Sequence, residues 1–215
     1  MNVAVKVCGL CRREDARVAS EAGAAWIGVI LAPGRSRSQT VAQAGVILEG
    51  AAARRVGVFV DAPAAAVAEA ARDLSLDAVQ LHGDESAADV RTIRSLVTCE
   101  VWKALRVRDA DAFTGGARTY AEDVDALLLD GWSPTAHGGT GTRFDWAAVA
   151  AAGVPPGVRL IVAGGLAADN VAEAIALLRP SIVDVSSGVE SATGVKSPEK
   201  IHAFVAAARG VRIEQ

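Results

Sequence analysis

The chain has no apolar run near the roughly 18 residues of a membrane-spanning helix. Its start, MNVAVKVCGL, has neither the basic segment nor the long apolar stretch of a secretory leader, which points to the cytoplasm. Charge of one sign is not in excess: 22 basic against 25 acidic residues leave a net charge of −3. Without a basic stripe to attract nucleic acid or anionic lipid, the expected partner is a small molecule or another protein. Cysteine is scarce and odd in number, three in all, with Cys99 far from Cys8 and Cys11, so there is no disulfide framework. The single C-x-x-C pair, Cys8 to Cys11, cannot close a four-ligand zinc site. G-x-x-x-x-G-K-[ST] and G-x-G-x-x-G are both missing, which removes a nucleotide P-loop and a dinucleotide fingerprint. No metal and no cofactor are expected.

What is present is repetition. Short Val, Ile and Leu runs at 3–9, 25–31, 55–60, 77–82, 100–107, 124–131, 158–165 and 182–188 alternate with Ala-rich stretches of helical length. The helical stretches include REDARVASEAG, APAAAVAEAARDL, DESAADVRTIRSL, ADNVAEAIALLRP and SPEKIHAFVAAAR. Several are entered through Asp, Ser or Pro and left at Gly or Pro. Near-continuous apolar strands between amphipathic helices make a parallel sheet covered by helices. Eight such units predict a single (β/α)8 TIM barrel with a parallel eight-stranded core over 1–215, with an open doubly wound sheet as the rival. Barrel active sites lie at the C-terminal ends of the strands, and there stand KVCG, RSRS, QLHG, LLLDG, HGGTGT, AGG and SSG.

Three clusters carry chemistry. The glycine-rich loops after strands six, seven and eight hold Gly139, Thr140, Gly141, Gly164, Gly165, Ser187 and Gly188. Glycine lets backbone N–H groups close on an anion, and such barrels often bind phosphate after strands seven and eight. The plainer reading of each Gly-Gly is a tight turn. Cys8 and Asp130 close strands one and six and fit a proton-transfer pair. A thiol of pKa near 8.5 becomes a competent base after a modest downward shift, and a shielded carboxylate can keep a proton and act as acid. Taken singly, Cys8 also reads as a small core residue and Asp130 as a turn former. Lys6 shares Cys8's side of the strand and is counted among the substrate-binding residues, with His82; its charge would bias the thiol toward thiolate, or it pairs with a neighbouring carboxylate. In the loop after strand two, the Arg37 fork suits a carboxylate or phosphate, whereas Arg35 reads as solvated surface. His82 after strand four is an acid, a donor or a structural histidine, and His137 carries no clear signal.

VKVCGL, SRS, VQLHG, LLLDG, HGGTGTRFDW, IVAGGL with DNV, and VDVSSGVES with GVKS occur in order from Lys6 to about Lys200. Together they resemble the phosphoribosylanthranilate isomerase family of tryptophan biosynthesis. The resemblance implies a cofactor-free Amadori rearrangement of a phosphorylated substrate, with Cys8 as general base and Asp130 as general acid. It implies that Arg37 pairs with the anthranilate carboxylate while the glycine loops hold the phosphate, on a monomer or homodimer. Cys11 stands where the family motif needs no cysteine, making the C-x-x-C accidental. Ser197 replaces a common aspartate at the cap of the last helix, and Gly131 replaces a common Ser or Thr beside the acid. Two alternatives stand beside this one. A sister isomerase of histidine synthesis has an aspartate at the base position, and a non-catalytic sugar-phosphate-binding barrel has no reason to keep both Cys8 and Asp130.

Overall fold

The computed structural model describes residues 3–107, 109–131 and 146–211. Eight parallel strands close into a barrel in chain order. They are β1 (Ala4–Val7), β2 (Trp26–Ile30), β3 (Arg54–Phe59), β4 (Ala78–Leu81), β5 (Glu100–Val107), β6 (Ala126–Gly131), β7 (Arg159–Val162) and β8 (Ile182–Val185). The helices are α1 (Arg13–Ala22), α2 (Val41–Leu48), α3 (Ala64–Asp73), α4 (Ala87–Leu96), α5 (Ala110–Tyr120), α6 (Trp146–Ala152), α7 (Val171–Leu178) and α8 (Pro198–Arg209). The predicted barrel is therefore the observed one. The open sheet is excluded by the β1–β8 ladder, which sets Lys6 opposite Asp184 and Val7 opposite Val185. No helix among the described residues is long and apolar enough to cross a membrane.

Local signals place the helix starts. Thr40 and Ser86 form capping boxes with Gln43 and Asp89, each satisfying two otherwise orphaned N–H groups. Ser197 accepts from the Lys200 N–H ahead of Pro198, so the departure from aspartate still makes the cap of α8. One element was missed: β9 (Glu190–Ala192) and β10 (Val195–Lys196) form a small antiparallel hairpin after β8. Its strands are too short to show a period of two.

Period-two alternation sorts each barrel strand into two faces. Outward residues such as Val5, Val7, Ile27, Val29, Leu127 and Val183 join the helices in the larger apolar core. Inward residues fill the barrel in layers. At the bottom, Trp26 and Trp102 meet edge to face at 4.7 Å, with Arg54 stacked 3.9 Å over the Trp26 ring. Ala104, Leu128 and Ile161 pack above them. Higher still, the inward positions turn polar: Lys6, Gln80 and Asp184, then Cys8, His82, Asp130 and Ser186. The apolar plug closes the lower end, so ligands can enter only at the strands' C-terminal ends.

Candidate active site

A cavity of about 380 Å³ opens at the C-terminal face, within the size range of small-molecule sites. Cys8, Arg37, His82, Asp130, Gly164, Gly165, Ser187 and Gly188 all line it. Strands and loops far apart in the chain thus deliver the predicted acid, base, arginine and glycines to one space. Gly139, Thr140, Gly141 and His137 lie outside the described residues.

Cys8 extends β1 at the cavity floor. Its Sγ lies beside the Cα of Gly28 on β2, where a Cβ would approach to 3.0 Å; Lys6 Nζ would be 3.4 Å from the same Cβ. Gly28 thus leaves room for thiol and ammonium together. Two expectations about this pair need correction. Lys6 is fully buried and absent from the cavity lining, so it is no substrate contact; its Nζ pairs with Asp184 Oδ2 at 2.8 Å. Nor is Cys8 shifted toward thiolate. Burial pushes the thiol above its ordinary value, outweighing the charge of Lys6, which acts the other way. Burial also opposes the charge on Lys6, but Asp184 and Cys8 hold its pKa above the usual lysine value. The second oxygen of Asp184 has no partner among the described residues although Asp184 lines the cavity.

Across the floor, Asp130 ends the buried β6 run ALLLDG. Its Oδ2 lies 3.1 Å from His82 Nε2, and His82 Nδ1 lies 2.9 Å from Gln80 Nε2. An amide nitrogen can only donate, so in this arrangement Nδ1 accepts and Nε2–H donates to the carboxylate. Gln80 Oε1 is then left buried and without a partner among the described residues. His82 is therefore both a cavity wall and the partner of the candidate acid. Gly131, next in β6, still pairs with Val107 in register, so the strand is regular through the position where the family prefers a hydroxyl.

The phosphate end is built by β7 and β8. A Cβ on Gly188 would meet Leu166 O at 2.0 Å, so the two loops touch backbone to backbone and only glycine fits. Asn170 shapes the first loop, accepting from Ala167 N at 2.9 Å and donating to Gly165 O at 2.9 Å. Ser187 begins a short 3₁₀ turn, Ser187–Val189, at the end of the second. Arg37 is paired with Glu190, at 2.6 Å from Nη2 to Oε2. Arg35, read as solvated surface, also lines the cavity and is half-buried. Cys11 and Cys8 are both free thiols, and the Cys11 thiol points at Gly9 O and Arg37 O, each 3.8 Å away.

Sequence reasoning missed Gln80, Asp184, Glu190 and Lys196. Inward alternation was available for Gln80 and Asp184, since each stands two residues before a cavity residue. Nothing local marked Glu190 or Lys196, whose partners are set by the closing of the barrel. Among the described residues no group of three or more His, Cys, Asp or Glu is arranged to hold a metal.

The family model described as N-(5'-phosphoribosyl)anthranilate (PRA) isomerase matches residues 5–207. A relative from Pelobacter propionicus, named N-(5'-phosphoribosyl)anthranilate isomerase, is 42% identical over 214 residues, covering 99% of this chain and 98% of its own. A phosphoribosyl anthranilate isomerase solved in complex with reduced 1-(o-carboxyphenylamino)-1-deoxyribulose 5-phosphate superposes with TM-score 0.83 at 33% identity, over 97% of this chain and all of that one. Monomers made from the dimeric isomerase of Thermotoga maritima give 0.84 at 32%, with the same coverage.

Proposed function

Because the chain belongs to the N-(5'-phosphoribosyl)anthranilate isomerase family, we propose that Cys8 and Asp130 divide the proton transfers of its reaction between them. The activity is the isomerisation of N-(5'-phosphoribosyl)anthranilate to 1-(2-carboxyphenylamino)-1-deoxyribulose 5-phosphate in tryptophan biosynthesis. The observation that carries the division of roles is that Cys8 and Asp130 line one closed-bottomed cavity together with Arg37 and the glycines of the β7 and β8 loops.

The substrate lies across the barrel mouth. Its phosphate sits on the backbone of Gly164, Gly165, Ser187 and Gly188, and its anthranilate carboxylate faces Arg37. Anchoring both ends supplies the orientation that proton transfer requires. Asp130 protonates the furanose ring oxygen, the C1'–O bond breaks and a Schiff base forms. Cys8, as thiolate, removes the C2' proton; the enolamine then takes a proton at C1' and becomes the ketone, so every atom of the substrate is kept. Gln80 supports both states of the acid. With its amide nitrogen toward His82, the imidazole donates to ionised Asp130; with the amide turned over, Nδ1–H donates to Oε1 and Nε2 accepts from protonated Asp130. The buried thiol is a strong base once ionised, and Lys6 favours that ionisation from below. The chain acts in the cytoplasm as a monomer or homodimer, without metal or cofactor.

A pH series of kcat/KM for the parent, Cys8→Asp and Cys8→Ala tests the base. A proton-transfer base tolerates replacement by another base, so the aspartate variant keeps more activity than alanine, with its rising limb moved toward acid because a carboxylate has pKa near 4. A folded aspartate variant no better than alanine at any pH overturns the role in favour of a covalent thiol.

A further inference from the structure

Arg37 has a left-handed backbone, φ 91°, which costs a non-glycine residue energy that its surroundings must recover. Glu190 of β9, 153 residues on, supplies the contact. Arg37 Nε donates to Oε1 at 2.7 Å and Nη2 to Oε2 at 2.6 Å, a forked pairing that occupies one whole edge of the guanidinium and fixes its plane. The other edge is differently placed. Among the described residues Nη1 reaches only the exposed Ser36 Oγ, at 3.2 Å, and both Ser36 and Arg37 line the cavity.

Glu190 is itself held. Lys196 Nζ donates to Oε1 at 2.9 Å and Gly194 N–H at 3.2 Å. Lys196 is 1% exposed and also donates to Ser186 O at 3.0 Å. Its backbone is tied to the start of α1, with Lys196 N donating to Asp15 Oδ2 and Arg12 Nη2 donating to Lys196 O, each at 3.2 Å. Two cations thus share one carboxylate, leaving one positive charge at this wall. An anion arriving at the free edge of Arg37 completes the balance.

We propose that Glu190 is a positioning residue for Arg37 and, braced by Lys196, makes the hairpin after β8 a specificity element for substrates carrying a carboxylate on the aromatic ring. This rests on the reading that Arg37 receives that carboxylate. Held by one edge, the guanidinium presents the other in a fixed plane, so the carboxylate meets a preorganised donor rather than a mobile one. Lys196 keeps Glu190 from neutralising Arg37.

The experiment measures competitive inhibition by two ligands, the reduced product analogue and its counterpart built on aniline, which lacks the carboxylate. The proteins are the parent, Arg37→Ala, Glu190→Gln, the double variant and Lys196→Met, with KM and kcat recorded for each. Glu190→Gln should weaken the carboxylate-bearing ligand roughly ten-fold and the aniline ligand within about two-fold, raising KM more than it lowers kcat. In the Arg37→Ala background it should add nothing. Lys196→Met should weaken the carboxylate ligand alone, and it keeps the test open if Glu190→Gln does not fold. Equal weakening of both ligands by Glu190→Gln, or by Lys196→Met where it stands in, overturns the inference, as does full additivity with Arg37→Ala; the hairpin would then be a brace only. Failure of Arg37→Ala to discriminate the ligands would sink the underlying reading; discrimination by Arg37→Ala but not by Glu190→Gln would sink this inference alone.

Discussion

Two buried lysines stand on strands of the same barrel, Lys6 facing its interior and Lys103 facing the helices, and do opposite things. Lys103 on β5 is 3% exposed and donates to Glu85 Oε2 at 2.9 Å, Gly83 O at 2.9 Å and Ala104 O at 3.1 Å. Glu85 also accepts from Asp61 N at 3.0 Å and from Gly83 N, so every donor of the ammonium and both oxygens of the carboxylate are used. Lys6 pairs with Asp184 at a similar distance, yet one Asp184 oxygen has no partner among the described residues and a further neighbour of the ammonium is a titratable thiol. A saturated buried pair fixes a loop. An unsaturated one, placed under a cavity, leaves electrostatic influence to spend on what lies above it.

The sharpest way to break that contrast is at the thiol. Cys8→Ser should lower kcat/KM by about 10² to 10⁴, with thermal unfolding little changed, because a general base is lost and not a packing group. Following the fluorescence loss as freshly made phosphoribosylanthranilate is consumed measures it. A loss of only a few-fold would return Cys8 to the core.

Next come the lysines. Lys103→Met and Lys6→Met each strand a buried carboxylate and should cost about 3 to 5 kcal/mol in urea unfolding. They should part in activity. Folded Lys103→Met keeps kcat/KM, whereas Lys6→Met loses it near neutral pH and recovers part of it at alkaline pH. Equal activity losses would erase the distinction between the two pairs.

A smaller effect concerns the pH profile. The thiol must ionise to act as base and burial holds its pKa above the ordinary thiol value, so kcat/KM of the parent should still be rising at pH values where an unperturbed thiol would already be ionised. Lys6→Met, without the charge that favours thiolate, should move this limb further alkaline. A limb that plateaus below the ordinary thiol range contradicts the burial argument.

The smallest effect is on stability in acid. Burial acts to raise the pKa of Glu190, but Arg37 and Lys196 bring it down from 4.5 to about 2. A depressed carboxyl stabilises the fold above its unfolded value and loses that contribution as pH falls through its folded one. The stability difference between the parent and Glu190→Gln should therefore be full above about pH 5 and fade as pH falls toward 2. A difference independent of pH would mean that the ion pair contributes nothing.

The sequence by itself determined the eight-unit barrel and the side each strand residue faces, because strand alternation and helix caps are local properties of covalent geometry. Knowing that Lys6 and Cys8 share a face needed only the spacing of two residues, and knowing that KVCG, LLLDG and SSG stand at strand ends needed only the pattern around them. Tertiary structure alone decided which inward side chains meet. Closing β1 against β8 sets Lys6 opposite Asp184, 178 residues away, and folding the last hairpin over the β2 loop brings Glu190 to Arg37. The thiol's pKa moved against the expectation for the same reason. The charge of Lys6 could be foreseen from its neighbouring position, but the desolvation that outweighs it comes from all the strands packed around Cys8, and no local stretch of chain records it.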